Sequence, residues 1–553
     1  MQQTSERFTH YLLLIVLCLS LYIPGLVTLP PVDRDEARFA QATRQMLEDH
    51  DFVRIRFQNQ PRHKKPIGIH WIQAAVATAV GESNRDQIWP YRIPSLLGAT
   101  AAVLLIFAIG STLFDSRTAL LGAALTASCL LLVVESHQAT TDAVLLTTVV
   151  AAQGALAYAY MKIRRGGSVG VVIMLAFWLA QGCGMLVKGP IVPMVSLLTI
   201  ASLLVADRSL SLVRQLRLWW GIPLAAAIFS PWAIAVSMAT KGAFFSDAIR
   251  SDLLPKLISG HESHGFFPGY YLLLVMVTFW PGSLIIGQGI YHAWQHRTLP
   301  AERFCLAWLV PTWLVFELIP TKLPHYVLPL YPALALLTAR ALFARSSGVL
   351  LYARSKLFWL GFAVWSLIGL VFATGIPVIP YLFDNRFELL SLLPAATAIL
   401  VLVFAWRYVL KTRRVAATVA AVALSPLLFG TTLQMILPNV NGLWLSRSVA
   451  KAVENYQQEP TAPPLVVAAV GYHEPSLVFL LGTQTKLVSV ERVPLLLRNH
   501  EADLALIPEK EELVFHDRIK DLGLHVRVVD TLRGFNYSKG KWLTLKLYSP
   551  EEG

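Results

Sequence analysis

From Tyr11 to Leu29 the chain carries no charged residue, and about 20 such residues are what a helix needs to cross the apolar core of a bilayer. Comparable runs recur at 94–114, 118–135, 142–161, 169–187, 190–206 and 219–239, and again at 269–291, 304–320, 326–344, 357–384, 391–410 and 415–437, thirteen candidate spans in all. In hydrocarbon every backbone N–H and C=O must be satisfied within the segment, so spans of this length are helices. The composition agrees: 55% of the 553 residues are hydrophobic and 15% are charged, against about 25% charged in a soluble chain. The first run is expected to stay in place rather than be cleaved. No small-x-small site precedes Pro30 and Pro31, and many similar runs follow.

The net charge of +13 could suggest a nucleic-acid partner, but its distribution argues against one. Basic residues cluster in short segments between apolar runs, as at Lys162, Arg164 and Arg165, at Arg208, Arg214 and Arg217, at Arg345, Arg354 and Lys356, and at Lys411, Arg413 and Arg414. Short basic loops face the cytoplasm. The amino terminus is therefore expected inside and the carboxyl terminus outside. The four cysteines lie within apolar runs and offer neither a disulfide framework nor zinc-ligand spacing.

The expected fold is thus an α-helical polytopic membrane protein, with residues 1–439 as the transmembrane region and 440–553 as an extracytoplasmic α/β domain. The first outer loop, 30–93, is too long to be a connector. In it, Asp35 to His50 places Ala37, Phe39, Ala40, Met46 and Leu47 among charges, the pattern of an amphipathic helix on the membrane surface. Pro66 then opens a mostly apolar helix over Ile67 to Val80, too short to span. In the carboxyl region the strand candidates are 465–470, 486–490 and 503–507, and the helix candidates are 446–456 and 511–522.

Polar residues concentrate at the outer ends of the spans. The first loop carries Asp33-Arg34-Asp35-Glu36-Ala37-Arg38 and Arg62-His63-Lys64-Lys65-Pro66. Asp35 and Arg38 share a helix face. An acid among cations at the membrane surface suits a lipid-linked phosphate and a reacting hydroxyl, whereas helix capping and headgroup contacts would account for the same residues structurally. Thr140-Thr141-Asp142, Lys188-Gly189-Pro190 and Lys322-Leu323-Pro324-His325-Tyr326 fall in tight outer turns. Charges there run against the positive-inside bias, and together they converge on an anionic-substrate site. The loop 240–268 adds Arg250, Lys256, His261, Glu262 and His264, of which the two histidines could ligate a divalent metal or be ordinary loop residues.

With these residues assembled, the chain resembles the integral-membrane GT-C glycosyltransferases of the protein O-mannosyltransferase superfamily. The nearest branch is the bacterial 4-amino-4-deoxy-L-arabinose lipid A transferases. The resemblance rests on Asp33 to Ala40 followed by Met46-Leu47, on Lys65-Pro66, on Lys188-Gly189-Pro190 and on Lys322 to Tyr326, and it covers about residues 30 to 335. It implies transfer of a sugar from a polyprenyl (undecaprenyl) phosphate carrier to lipid A, another envelope glycan or a protein, on the periplasmic face of a bacterial inner membrane, by a monomer. It also implies that Asp35 is the catalytic carboxylate, with Asp142 as a second catalytic candidate. Carrier-phosphate contacts are expected from Lys65, Arg38, Lys188, Arg250, Lys322, His325 and Tyr326. A metal held by Glu36, His261 or His264 is a further possibility. In that branch a Glu, which with a His resembling His264 can hold metal, precedes the Lys-Pro; here Lys64 stands in its place.

The chemistry needs a leaving phosphate stabilised by cations and an oriented acceptor, with inversion at the anomeric carbon. A transporter of lipid-linked sugars would instead place ionisable residues at mid-depth of the spans. Here Glu317 and Arg340 lie nearer span ends, which favours the enzyme.

Overall fold

A computed structural model describes residues 2–258, 265–344, 355–411, 413–457 and 463–551. Its amino-terminal part is a helical bundle. The helices run α1 (Gln2–Tyr22), α2 (Asp35–Asp49), α3 (Gly68–Ala79), α4 (Trp89–Leu113), α5 (Ser116–Ser128), α6 (Leu130–Ser136), α7 (Asp142–Arg164), α8 (Val171–Lys188) and α9 (Ile191–Asp207). Further long helices are Leu218–Ala239, Pro300–Leu318, Lys356–Asp384, Leu392–Leu410 and Arg414–Thr431. Among the described residues, eight helices are long and apolar enough to cross a membrane, nine if the pair α5 and α6 counts as one span bent by 61°. The apolar runs expected from the sequence fall on helical structure, but several are broken: 269–291 divides into Tyr270–Thr278, Gly282–Ile285 and Ile286–Gln295.

Small residues set how closely the helices approach. A methyl group on Gly98 of α4 would lie 3.0 Å from the Ala143 carbonyl oxygen of α7. A side chain there would force the pair apart, the familiar constraint on helix packing in membranes.

The loop 30–93 holds α2, the short antiparallel strands β1 (Arg56–Phe57) and β2 (Gln60–Pro61), and α3. The five apolar positions expected on α2 are buried, but so are Glu36, Gln41, Thr43 and Gln45. This helix is therefore not an open surface helix, because protein covers most of its polar face as well.

Arg92 covers Glu36, and α3 covers Thr43. The cover at Gln41, beside Thr483, comes from residues 445–550, which form a five-stranded sheet in the order β4-β3-β5-β7-β6. Its strands are β3 (Val467–Val470), β4 (Lys486–Val488), β5 (Leu504–Pro508), β6 (Val526–Asn536) and β7 (Lys541–Pro550). β3 pairs in parallel with β4 and β5, whereas β7 pairs antiparallel with β5 and β6. Apolar side chains fill both faces, with Val467, Leu504 and Leu547 on one and Ala468, Ile507 and Phe515 on the other.

Candidate active site

The acids of the first loop have three separate environments. Asp35 opens α2 with its carboxylate 62% exposed into a recess, 3.4 Å from Arg62 Nη2. Burial within that recess pushes the carboxyl up, but Arg62, His325, Arg38 and Lys65 together outweigh it and hold Asp35 below the usual carboxylate range. Glu36, one residue on, is sealed away. Its carboxylate takes two hydrogen bonds from the fully buried Arg92, at 2.7 and 2.8 Å, and accepts from the Val32 and Ala139 amides. Arg92 spends its remaining donors on the Leu26, Leu29 and Pro30 carbonyls. Glu36 is thus a structural ion-pair partner and has no lone pair to offer a metal.

Asp33 is not a cap of α2. It accepts the Ser476 amide at 3.2 Å, at the start of the helix Pro475–Leu481. Burial lifts its carboxyl to about 6, with Glu474 adding to the effect.

The loop Arg62 to Pro66 is held against α8 by a close approach at Gly68, where a side chain would come within 2.7 Å of the Leu186 carbonyl oxygen. That contact brings Lys65 towards Lys188. Lys188 donates to Asp142 at 2.5 Å, and its ammonium lies 5.7 Å from the Tyr326 ring centroid. Asp142 therefore orients Lys188 from within an ion pair. Lys65 sits 3.7 Å from Asp252, which also receives Lys256 at 2.5 Å. Burial and the neighbouring Lys256 and Lys188 charges push Lys65 down to about 8.

These side chains stand where two cavities meet. One is an apolar groove of about 330 Å³ walled by Leu145, Met185, Ile191, Phe229, Trp232 and Phe244. The other is a polar recess of about 140 Å³ that holds Asp35, Arg38, Arg62, Glu135 and Thr140. Lys65, Asp142, Lys188, Lys256, His325 and Tyr326 line both. Arg38 and Arg62 also border an outer hollow of about 380 Å³ beside His63 and Asp247. Such an arrangement can take a long apolar chain with an anionic head at the junction and present the head to a second polar molecule.

Of the expected site residues, the structure brings together Asp35, Arg38, Lys65, Asp142, Lys188, His325 and Tyr326. Two others lie elsewhere. Lys322 is buried with its ammonium on the Glu317 and Ile319 carbonyls at 2.7 and 2.6 Å, where it closes the end of the helix Pro300–Leu318. A cation there satisfies carbonyls that helix geometry leaves without partners. Arg250 is exposed and lines neither cavity. His261 and His264 lie outside the described residues, and among those described no group of three His, Cys, Asp or Glu side chains could hold a metal ion. With Glu36 committed to Arg92, the described residues do not fit a metal centre.

Sequence reasoning passed over Asp252 and Glu135. Asp252 stands four residues before Lys256, the spacing of a helical ion pair, which was a readable signal. Glu135, 3.7 Å from His325, is the one acid at the end of its apolar run.

The bundle, the loop 30–93 and the carboxyl sheet have the fold of the integral-membrane glycosyltransferases of GT-C type. The structure of ArnT from Cupriavidus metallidurans bound to undecaprenyl phosphate superposes with a TM-score of 0.74, at 19% identity, over 97% of each chain. The family described as dolichyl-phosphate-mannose-protein mannosyltransferase matches residues 64–234. The undecaprenyl phosphate-alpha-4-amino-4-deoxy-L-arabinose arabinosyl transferase of Erwinia tasmaniensis is 28% identical over 60% of this chain. The transferase of the same description from Pectobacterium carotovorum is 27% identical over 63%. The matched stretches span 59% and 62% of those two relatives' own lengths. The chain resembles this arabinose lipid A transferase branch.

Proposed function

We propose that the protein transfers a sugar from an undecaprenyl phosphate carrier to lipid A at the periplasmic face of a bacterial inner membrane. The observation that carries this reading is the junction itself: an apolar groove and a polar recess share one wall of cations, with Asp35 facing the recess. The polyprenyl chain lies in the groove, and its phosphate rests among Lys65, Lys188 and Lys256. The thirteen helical runs then cross the membrane, and the carboxyl sheet lies on the outer side with the site. The names of the relatives and the undecaprenyl phosphate of the ArnT structure support the carrier.

In the reaction the acceptor oxygen bonds to the anomeric carbon from the face opposite the carrier oxygen. The carbon–oxygen bond to the carrier breaks, and its electron pair leaves on the phosphate, where the lysines offset the developing charge. The acceptor reaches Asp35 through the outer hollow, whose Arg38 and Arg62 suit an anionic group. Asp35 accepts the proton of a hydroxyl acceptor or hydrogen-bonds and orients a protonated phosphate. In the resting site its neighbouring cations make it a weak base. An anionic carrier docked beside Lys65 offsets those cations and raises its basicity towards the working range.

Mass spectrometry of lipid A and of envelope glycoproteins from cells with and without the protein tests this reading. A sugar increment on lipid A that disappears with the protein is expected. Unchanged lipid A with an altered glycoprotein would replace the acceptor.

A further inference from the structure

Asp35 is preceded by a strained residue. Arg34 has φ 69° and ψ −106°, outside the left-handed region that non-glycine residues occasionally visit. Strain of this kind persists only where surrounding contacts enforce it. Here they come from the carboxyl sheet, more than 400 residues away in sequence. The Asp33 amide donates to the Tyr537 hydroxyl at 2.7 Å, and the Arg34 guanidinium donates to the Ser538 carbonyl, both partners lying in the turn between β6 and β7. The Asp33 carboxylate accepts the Ser476 amide. The grip continues along α2: Gln41 donates to Thr483 at 2.7 Å, Arg44 to the Phe479 carbonyl at 3.0 Å, and Thr483 to Glu48 at 2.7 Å.

The neighbourhood of this grip is built for it. Asn536 donates to Glu474 at 2.9 Å, and Ser446 bridges Tyr472 and Ser476. These groups are buried and hydrogen-bonded, so the turn and the helix Pro475–Leu481 are held before they meet α2. By contrast, Lys65, Lys188 and Lys256 stand on other segments and make none of these contacts.

We infer that the carboxyl sheet is a positioning device for the reacting carboxylate, with Tyr537 and Asp33 as positioning residues that fix the start of α2 and so aim Asp35 into the recess. The inference rests on the reading that Asp35 acts in transfer. Because the lysine cluster lies elsewhere, loosening the clamp lowers turnover and leaves donor binding alone. A displacement of about 1 Å at a reacting group can cost on the order of 100-fold in rate.

The test uses the full-length protein in lipid nanodiscs. Tyr537→Phe is expected to lower kcat about 10- to 100-fold with an unchanged KM for the lipid-linked donor. Asp33→Asn, which keeps an oxygen for the Ser476 amide, should fall less than Asp33→Ala. Hydrogen exchange supplies a readout independent of activity: in Tyr537→Phe, amides over 33–39 should exchange faster while those of the transmembrane helices do not. Faster exchange with no transfer by the parent protein would sink the transfer reading and leave the clamp standing. Unchanged exchange at 33–39, or a Tyr537→Phe variant with parental kcat, would overturn the inference.

Discussion

Glu36 and Arg92 form a closed knot: every donor and acceptor of the pair meets protein, and neither side chain is exposed. One residue away, the recess keeps Asp35 62% exposed and leaves the Arg38 guanidinium without a hydrogen bond among the described residues. Both regions gather opposite charges at one end of a helical bundle, yet one is finished and the other is waiting for a partner. Buried charges whose needs are met internally hold structure, whereas charges arranged around a void hold a ligand. Lys322 belongs with the first kind and Lys65 with the second.

The largest effect should fall on the open region. Asp35→Asn is expected to cut transfer by about 10²- to 10⁴-fold without altering thermal unfolding in detergent. A variant that unfolds earlier instead would move Asp35 into the structural class. The closed region should respond the other way round. Arg92→Ala leaves Glu36 charged and buried, which costs about 3–5 kcal/mol, so the protein should unfold early or fail to accumulate. Normal unfolding would break the contrast between the two regions.

How far the contrast could be read in advance differs by residue. Asp35 and Lys65 were legible because acids and cations crowd one long loop, and Lys188 because a cation in its turn runs against the topology bias. Lys322 carried the same signal and misled, since a side chain that turns back on the carbonyls of its own helix looks identical in sequence. The role of Asp33 was invisible because its partner Ser476 lies 443 residues along the chain. Strands β3, β4 and β5 were legible as short apolar runs. The long hairpin of β6 and β7 was not proposed, although Leu543, Leu545 and Leu547 alternate along β7. In β6, Arg527, Asp530 and Arg533 recur every third residue and mask the strand period. The first break in the helical run 269–291 falls beside Pro281 and Gly282, a local signal that the apolarity of the run overrode in the span count.

A smaller, pH-dependent effect sharpens the assignment of Lys65. Its amine is pushed down to about 8, so it carries charge below that pH and loses it above. The kcat/KM for the lipid-linked donor should fall above pH 8, approaching tenfold per unit. Stability moves oppositely: the unfolded chain binds more protons between pH 8 and 10.5, so this group adds stability as pH rises through that window. A donor kcat/KM that is flat to pH 10 would remove Lys65 from the junction. The smallest effect is expected at Lys322. Lys322→Met frees helix carbonyls at a cost of about 1–3 kcal/mol and should leave the donor KM unchanged. A raised KM would return Lys322 to the site.

The central claim is that the lysine junction holds the carrier phosphate. Binding of undecaprenyl phosphate to the purified protein in nanodiscs, compared with Lys65→Ala, measures it without any sugar or acceptor. Removing one charge-assisted contact is worth about 1.5–3 kcal/mol, so the variant should bind at least about tenfold more weakly while its unfolding temperature does not fall. Equal affinity in the two proteins would contradict the account.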